Sequence, residues 1–398
     1  MNRILIVIGF LLGFYGVGAQ ENPVLNYSES DFCTQIVVYP LDSLKSTFFY
    51  DGPHVYWQPG KKYAKVKYYS FSPMKKRSKK HVYKWEVKPN DTVLFFEGKE
   101  HDRNKYDFFA TFQTQPSKYS GVEKILVIGD VHGEYDRLVN ILRVAGVVDS
   151  LFNWTFGEGH VVFTGDVVDR GEQVTECLWF IYNLTQLANK AGGKVHFLLG
   201  NHEIMLFEKD VRYLNIKYSY LASKYNFSYR SQFSTKTVLG RWMRSLNSVI
   251  TINDILFVHA GISAEVARYN VSIDSINWMV RKYINRPNFS MLKGVENLTL
   301  GVFGPLWYRG YLVKMPFYPR ISEEEVDIVL EKYGVNHIVF GHTGLKDVTA
   351  IFNNKLINID VPFKEHCIPL QVLLIEDKKY MVVFEDGSRQ NLFQNSCQ

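Results

Sequence analysis

The sequence predicts a layered α/β fold, with an additional small β-rich domain at the N-terminus. Two observations support this fold class. Between residues 28 and 120, aromatic and β-branched residues alternate or cluster between Gly and Pro turns, which is typical of short strands. After about residue 121, short apolar runs end in Gly-rich turns and lead into segments with helical spacing, which indicates βαβ units.

The chain of 398 residues is long for one domain and divides into three predicted parts. Residues 1–19 have the pattern of a cleaved signal peptide, with Arg3 before an apolar segment and Gly18-Ala19 at its end. We expect residues 20–120 to form the β-rich domain and residues 121–398 the α/β domain. The protein is then expected to be exported, to a periplasm or out of the cell. No apolar run reaches the roughly 20 residues of a transmembrane helix.

Composition limits the class of protein. Hydrophobic residues make up 46% and charged residues 22%, which excludes a mainly disordered chain. The net charge of +6 is too small to indicate nucleic-acid binding by itself. Among the charged segments, the basic run Lys75 to Lys80 stands out, and it is either a solvated hairpin loop or a contact to an anionic surface.

The individual elements follow from the same patterns. In the N-terminal part, strands are predicted at 53–57, 63–69, 81–87, 92–96 and 107–112, as a small sandwich or barrel-like domain. In the α/β part, strands are predicted at 124–128, 160–164, 194–199, 255–258, 337–340 and 355–359, with a terminal hairpin of 370–375 and 380–384. Helical stripes begin at Leu138, Ile181 and Val326.

Residues with metal-binding and acid-base chemistry follow the ends of these strands. GDVHG, GDVVDRG and GNHE begin at residues 129, 165 and 200, and HAG and GHT begin at 259 and 341. Ligand sites in open α/β sheets lie at such strand ends. Carboxylate, amide and imidazole groups are ligands for metals that activate water. A single histidine here would more often be structural, but five such strand ends together indicate a site.

The order of these five motifs resembles that of the calcineurin-like metallophosphoesterases, and more narrowly the phosphoprotein phosphatase superfamily. With GPLWYR at 304–309 and the secretory start, the chain is most similar to the Shewanella-like protein phosphatase branch. The resemblance covers about residues 124–360. It implies the metallophosphoesterase fold, a layered β-sandwich flanked by helices. It also makes residues 121–398 the catalytic domain, but it leaves the N-terminal part unexplained.

The resemblance implies two divalent or mixed-valence metal ions, of Mn, Fe or Zn. The implied ligands are Asp130 and His132 for one metal, Asn201, His259 and His342 for the other, and Asp166 as the bridge. Two such cations lower the pKa of a shared water, so that a bridging hydroxide is available for in-line attack on phosphorus.

Further roles are carried over by the same motifs. His202 is implied as the general acid for the leaving oxygen, and Asp169 as the carboxylate that orients it. Arg170, Asn201 and Arg309 are implied to bind the phosphate. Arg309 rests on a shorter motif, and the alternative for it is a plain surface arginine.

The predicted function is therefore a metal-dependent phosphomonoester hydrolase, acting on phosphorylated proteins or peptides, with Ser/Thr versus Tyr specificity left open. One alternative keeps the chemistry and changes the substrate, to small phosphomonoesters or dinucleoside polyphosphates. Another is an exported binding protein whose phosphatase site is vestigial.

Overall fold

The structure is a computed structural model that describes residues 49–72, 77–88, 91–97, 105–285 and 291–393. The predicted signal peptide lies outside the described residues, and so do Lys75 and Lys76 of the basic run. Export therefore stays a prediction. Within the described ranges, no helix is both long enough and apolar enough to cross a membrane.

The N-terminal part is β-rich, as the sequence predicts. Its strands are β1 (Phe49–Tyr56), β2 (Tyr63–Ser72), β3 (Arg77–Glu86), β4 (Val93–Glu97) and β5 (Lys105–Phe109). The first three form an antiparallel sheet in the order β1-β2-β3, and β4 pairs with β5 as a separate hairpin. These described strands form a small open sheet and a hairpin instead of a closed sandwich.

The rest of the described chain contains two six-stranded sheets. The first has the order β17 (Arg389–Asn391), β16 (Lys379–Phe384), β15 (Gln371–Glu376), β7 (Lys124–Ile128), β8 (His160–Phe163) and β9 (Lys194–Phe197). The second has the order β13 (Thr349–Ile351), β14 (Leu356–Asn358), β12 (His337–Phe340), β11 (Ile255–Val258), β10 (Val249–Ile252) and β6 (Lys118–Tyr119).

Helices cover the outer faces of the sheets. They are α1 (Tyr135–Val144), α2 (Val174–Lys190), α3 (Asn201–Glu208), α4 (Ile216–Lys224), α5 (Val238–Arg244), α6 (Ala264–Arg268), α7 (Ile273–Tyr283), α8 (Gly294–Leu300) and α9 (Glu323–Tyr333), with a 3-10 helix at Tyr229–Phe233. The predicted stripes that begin at Leu138, Ile181 and Val326 lie on α1, α2 and α9, and these three residues are buried.

The two sheets pack face to face, which confirms the predicted sandwich. Ile125 and Val127 of β7 belong to the core between the sheets, together with Phe257 of β11. The alternate residues Leu126 and Ile128 belong to the core under the helices. Because both faces of these parallel strands are buried, they form continuous apolar runs in the sequence.

The N-terminal strands share the helix-side core. The ring of Phe108 lies 5.2 Å from that of Trp179 on α2, and Trp179 Nε1 donates to the carbonyl of Pro53 at 2.7 Å. Thr175 Oγ1 donates to the buried carboxylate of Asp51 at 2.7 Å. These contacts join the β-rich part to α2, and the predicted domain boundary after residue 120 stays a prediction.

A buried histidine pair lies on strands β8 and β9 of the first sheet, outside the motifs that follow these strands. His160 begins β8, His196 lies on β9, and their ring nitrogens are 3.0 Å apart. The ring of Tyr119 packs on both. Burial lowers the pKa of His160 to about 4 and the pKa of His196 to about 3, so both rings are neutral in the folded protein.

This pair predicts how stability depends on pH. In the unfolded chain both histidines take up a proton below their ordinary pKa of about 6.5. The free energy of unfolding is therefore expected to be highest above that pH and to fall by on the order of 4 kcal/mol by about pH 5, about 2 kcal/mol from each histidine. Urea unfolding across this range should show a shallower slope for His196→Gln. The control His337→Gln, at the start of β12, should keep the wild-type slope, and equal slopes for all three would contradict the prediction.

Candidate dinuclear metal centre and active site

The two sheets bring the five motifs to one place. Asp130, Asp166 and Asn201 follow β7, β8 and β9 of the first sheet, and His259 and His342 follow β11 and β12 of the second. All five side chains are buried. Strands β7, β8 and β9 are parallel to one another, and so are β11 and β12. Their carboxyl ends therefore meet at one edge of the sandwich. The convergence predicted from the motifs is thus present in the structure.

Several site residues adopt a left-handed backbone that is uncommon for residues other than glycine. The φ angles are 48° at His132, 52° at Asp166, 68° at Asp169, 61° at Arg170 and 67° at His342. Such conformations cost of order 1–3 kcal/mol each and cluster at functional sites. The turns after the strands are thus held in a strained shape, in which all of these side chains except that of Arg170 are buried.

One cluster of side chains directs three acceptor atoms, from Asp166, Asn201 and His259, toward a shared point. His259 Nδ1 lies 3.0 Å from the carbonyl oxygen of Thr164, which can only accept, so Nδ1 carries the proton and Nε2 has a lone pair. That Nε2 lies 2.9 Å from Asn201 Oδ1, 3.1 Å from His342 Nδ1 and 3.4 Å from Asp166 Oδ2. Acceptors that face one another when buried fit a bound cation.

A second group of potential ligands shares Asp166. His132 Nδ1 donates to the carbonyl of Val168 at 2.8 Å, which leaves its Nε2 lone pair 3.9 Å from Asp166 Oδ2. Burial lowers the pKa values of His132 and His342 well below the ordinary value, so both rings are neutral and available as ligands. The donor set therefore fits two metal ions on either side of Asp166, although the metal roles of these residues stay predictions.

Asp130 lies beside this centre. Its Oδ1 accepts the backbone N–H of His342 at 3.3 Å. Burial raises its pKa well above the ordinary value, and the carboxylates of Asp360 and Asp166 raise it further. Several buried carboxylates in one place repel one another unless a cation neutralises them, which is a second property of a metal site.

His202 is held by a carboxylate. Its Nδ1 donates to Asp169 Oδ2 at 2.8 Å, and its Nε2 lies 3.8 Å from Asp166 Oδ2. Burial lowers the pKa of His202, but the nearby Asp166 and the hydrogen bond to Asp169 outweigh burial, and the pKa is raised. The arrangement suits a general acid. The geometry alone would also allow His202 to join His132 and Asp166 as a metal ligand.

Two arginines border the centre in different ways. Arg170 is exposed, and its guanidinium lies 5.7 Å from the ring of Tyr213. Arg309 is largely buried, and its Nη1 donates to the carbonyl of His342 at 2.8 Å and to Thr343 Oγ1 at 3.2 Å. Arg309 is therefore part of the site and not a plain surface arginine. Its role as a phosphate ligand stays a prediction.

Glu203 connects the second and third motifs. Its buried carboxylate accepts four backbone N–H groups at 2.8–3.2 Å. The donors are Gly200, Asp166, Val167 and Val168. This carboxylate holds the turns after β8 and β9 in a fixed relation, which gives the last residue of the GNHE motif a structural role.

Sequence analysis assigned no role to two residues that the structure places here. Asp360 is buried two residues after β14, and burial raises its pKa to about 6. Asp360 could have been identified from the sequence, because it directly follows the strand predicted at 355–359. Tyr213 lies in the loop before α4, with its ring 5.0 Å from that of His202. No local pattern marks Tyr213, because only the packing of that loop brings it to the site.

Comparisons with known proteins agree with this geometry. Residues 123–345 match the calcineurin-like phosphoesterase family. A crystal structure of a cold-active protein-tyrosine phosphatase from a psychrophilic Shewanella species is 34% identical, with a TM-score of 0.74, over 86% of this chain and 99% of that one.

Two relatives are similar in sequence. Shewanella-like protein phosphatase 2 of Arabidopsis thaliana is 27% identical over 304 residues, which cover 63% of this chain and 74% of the relative. Shewanella-like protein phosphatase 1 of Plasmodium berghei is 28% identical over 267 residues, which cover 66% of this chain and 72% of the relative.

Proposed function

The chain belongs to the calcineurin-like phosphoesterase family as a metal-dependent phosphatase, and from this premise we propose that its substrates are phosphorylated side chains of proteins. The family membership and the converging His and Asp groups account for phosphomonoester hydrolysis. The protein substrate is supported by the relatives, which are protein phosphatases.

One observation carries the proposed reaction: a carboxylate-held imidazole lies directly beside the candidate metal centre. His202 is oriented by Asp169 at 2.8 Å, so its Nε2 is directed away from Asp169 and can give a proton to the leaving oxygen. The alkoxide of serine or threonine, or the phenoxide of tyrosine, leaves more readily when it receives that proton. Asp169 keeps the imidazolium in place while the proton is available.

The residues that would hold the metals are Asp130, His132, Asp166, Asn201, His259 and His342. When bound, two such ions supply an activated water and neutralise charge on the phosphoryl oxygens. The side chain of the exposed Arg170 would bind the phosphate from the solvent side through its planar fork. The largely buried Arg309 and the amide of Asn201 would approach it from within.

Tyr213 bears on the choice between phosphotyrosine and phosphoserine. Its side chain is 45% exposed although its ring lies 5.0 Å from His202. A leaving oxygen at His202 places the rest of the substrate side chain beside this ring. An aromatic leaving group can stack on it, which is worth about 0.5–1.5 kcal/mol, whereas a serine side chain is too short. This favours phosphotyrosine.

A phosphopeptide panel tests the proposal. The wild-type enzyme is expected to hydrolyse phosphotyrosine and phosphoserine peptides of matched sequence faster than nucleotides or dinucleoside polyphosphates. Tyr213→Ala should lower kcat/KM roughly fivefold for the phosphotyrosine peptide and leave the phosphoserine peptide unchanged, because only the aryl group loses a stacking partner.

Tyr213→Phe is the matched control, since it keeps the ring and should retain the wild-type preference. An equal loss on both peptides in Tyr213→Ala would show that the ring acts only by packing beside Arg170. Comparable turnover of all small phosphates, with no preference for peptides, would contradict the proposal of a protein phosphatase and favour the small-molecule alternative.

Two finer parts of the proposal concern the metals and the compartment. The oxygen and nitrogen donor set suits Mn, Fe or Zn, and metal analysis of purified protein identifies which is bound. Export through the predicted signal peptide at 1–19 is tested by fractionation of cells that express the full chain, with the mass of the mature protein as the measurement.

A further inference from the structure

The strands β2 and β3 carry lysines in matching positions on one face. In the antiparallel register Lys65 lies opposite Lys84, Lys67 opposite Val82, and Tyr69 opposite Lys80. Residues directly opposite one another share a face of the sheet. We call Lys65, Lys67, Lys80 and Lys84 the basic face. It concentrates four positive charges on two adjacent strands, and like charges in directly opposite positions destabilise a sheet.

No ion pair within the described part of the chain neutralises these charges. Among the described residues, no acidic side chain forms an ion pair with any of the four lysines, and the neighbouring Glu86 pairs instead with Lys62 at 3.2 Å. Burial lowers the pKa of Lys67, and the charges of Lys80 and Lys65 lower it further. Within the described residues, the basic face therefore carries positive charge that no ion pair compensates.

Aromatic rings hold part of this charge in place. The Lys84 ammonium lies 3.7 Å from the centre of the Tyr63 ring, and the Lys67 ammonium 3.8 Å from that of Tyr56. Cation–π contacts of this kind reduce the conformational freedom of the lysines. Tyr63 and Val82 lie on the same face as these lysines, and their side chains are 38% and 47% exposed. The basic face therefore offers apolar as well as ionic contacts.

Helix α4 links the basic face to the phosphate-binding side of the active site. At its C-terminal end, the Tyr225 hydroxyl donates to the carbonyl of Lys79, next to Lys80. At its N-terminal end, Asn215 Nδ2 donates to the carbonyl of Arg170. The nine residues of α4 span about 14 Å. An extended peptide covers that distance in about four residues.

We infer that the basic face docks an acidic segment of the substrate protein, at a short distance from the phosphorylated residue. Alternate lysines on a strand are about 6.6 Å apart, which matches alternate side chains of an extended peptide. This inference rests on the proposed function, because it assumes a protein substrate. Its ligand is an Asp- or Glu-rich stretch of polypeptide.

Two phosphotyrosine peptides of equal length test it, one with a tract of about four Glu placed about five residues from the phosphotyrosine and one with Gln in their place. For the wild-type enzyme we expect KM to be roughly tenfold lower for the acidic peptide, as four weak surface pairs combine, with kcat unchanged. The difference should disappear at about 0.5 M NaCl, where surface charges are screened.

A variant with all four basic-face lysines changed to Gln should lose this preference and hydrolyse p-nitrophenyl phosphate at the wild-type rate. A matched control removes the same charge from exposed positions elsewhere, at Lys118, Lys236, Lys293 and Lys379. The control should keep the preference. An unchanged KM in the basic-face variant, or an equal loss in the control, would overturn the inference.

Two further measurements separate the other outcomes. If vesicles of phosphatidylserine and phosphatidylcholine bind the wild-type protein but not the variant, while KM does not change, the face serves a membrane and the inference is wrong. If p-nitrophenyl phosphate is hydrolysed but neither peptide is, the proposed function fails. Fluorescence anisotropy with the unphosphorylated acidic peptide then still decides whether the face binds it.

Discussion

Replacing His202 with Asn is expected to lower kcat for a phosphoserine or phosphotyrosine peptide by about 10²- to 10⁴-fold, because the leaving oxygen loses its proton donor. The loss should be much smaller for p-nitrophenyl phosphate, since p-nitrophenolate is a weak base and leaves without a proton. Steady-state kinetics on both substrates measure the difference. The hydrogen bond from His202 Nδ1 to Asp169 makes this residue, among those at the centre, the best placed donor.

The same variant distinguishes the two roles that the geometry allows for His202, general acid and metal ligand. His202 lies close enough to His132 and Asp166 to act as a metal ligand. If it is the general acid, His202→Asn keeps both metals, as shown by elemental analysis, and Asp169→Asn reproduces part of the kinetic loss. If the variant loses metal, or if both substrates are slowed equally, the general-acid assignment is wrong.

Replacing Asp166 with Asn is expected to abolish activity, with a loss of at least about 10³-fold, because the two candidate metal groups share this carboxylate. The fold should persist. Asn tolerates the left-handed backbone at this position, where φ is 52°. In the wild type the backbone N–H of His202 donates to Asp166 Oδ1 at 2.9 Å, and the side-chain oxygen of Asn can still accept this hydrogen bond. Elemental analysis and circular dichroism measure metal loss and folding separately.

Asp327→Asn serves as the matched control. Asp327 lies on α9, where its exposed side chain pairs with Lys355 at 2.7 Å, far in sequence from every motif. It should keep both metals and wild-type activity within about twofold, as exposed ion pairs contribute little. An Asp166→Asn protein that retains two metals and most of its activity would show that the bridging carboxylate has been assigned to the wrong residue.

Most elements of the fold could be predicted because their signals are local. The run at 124–128 is apolar on both faces, and the structure shows β7 with both faces buried. The turn between β15 and β16 follows the predicted hairpin, with φ of 50° at Asp377 and 63° at Lys378. The described N-terminal strands do not form the predicted sandwich or barrel, because they complete their core against α2, a helix that follows only after β7, α1 and β8.

The sequence by itself determined the order of strands and helices, the position of each motif at the end of its own strand, and hence the chemical character of the site. These depend on periodicity and turn residues over a few positions. Only the tertiary structure decided that the ends of two different sheets meet, so that His259 and His342 join Asp166. The tertiary structure also decided that Tyr213 lies beside His202 and Asp360 beside Asp130. It likewise placed the four lysines of the basic face on one side of their sheet. Contacts between residues far apart in the chain arise from packing and strand register, which no short pattern of residue types specifies.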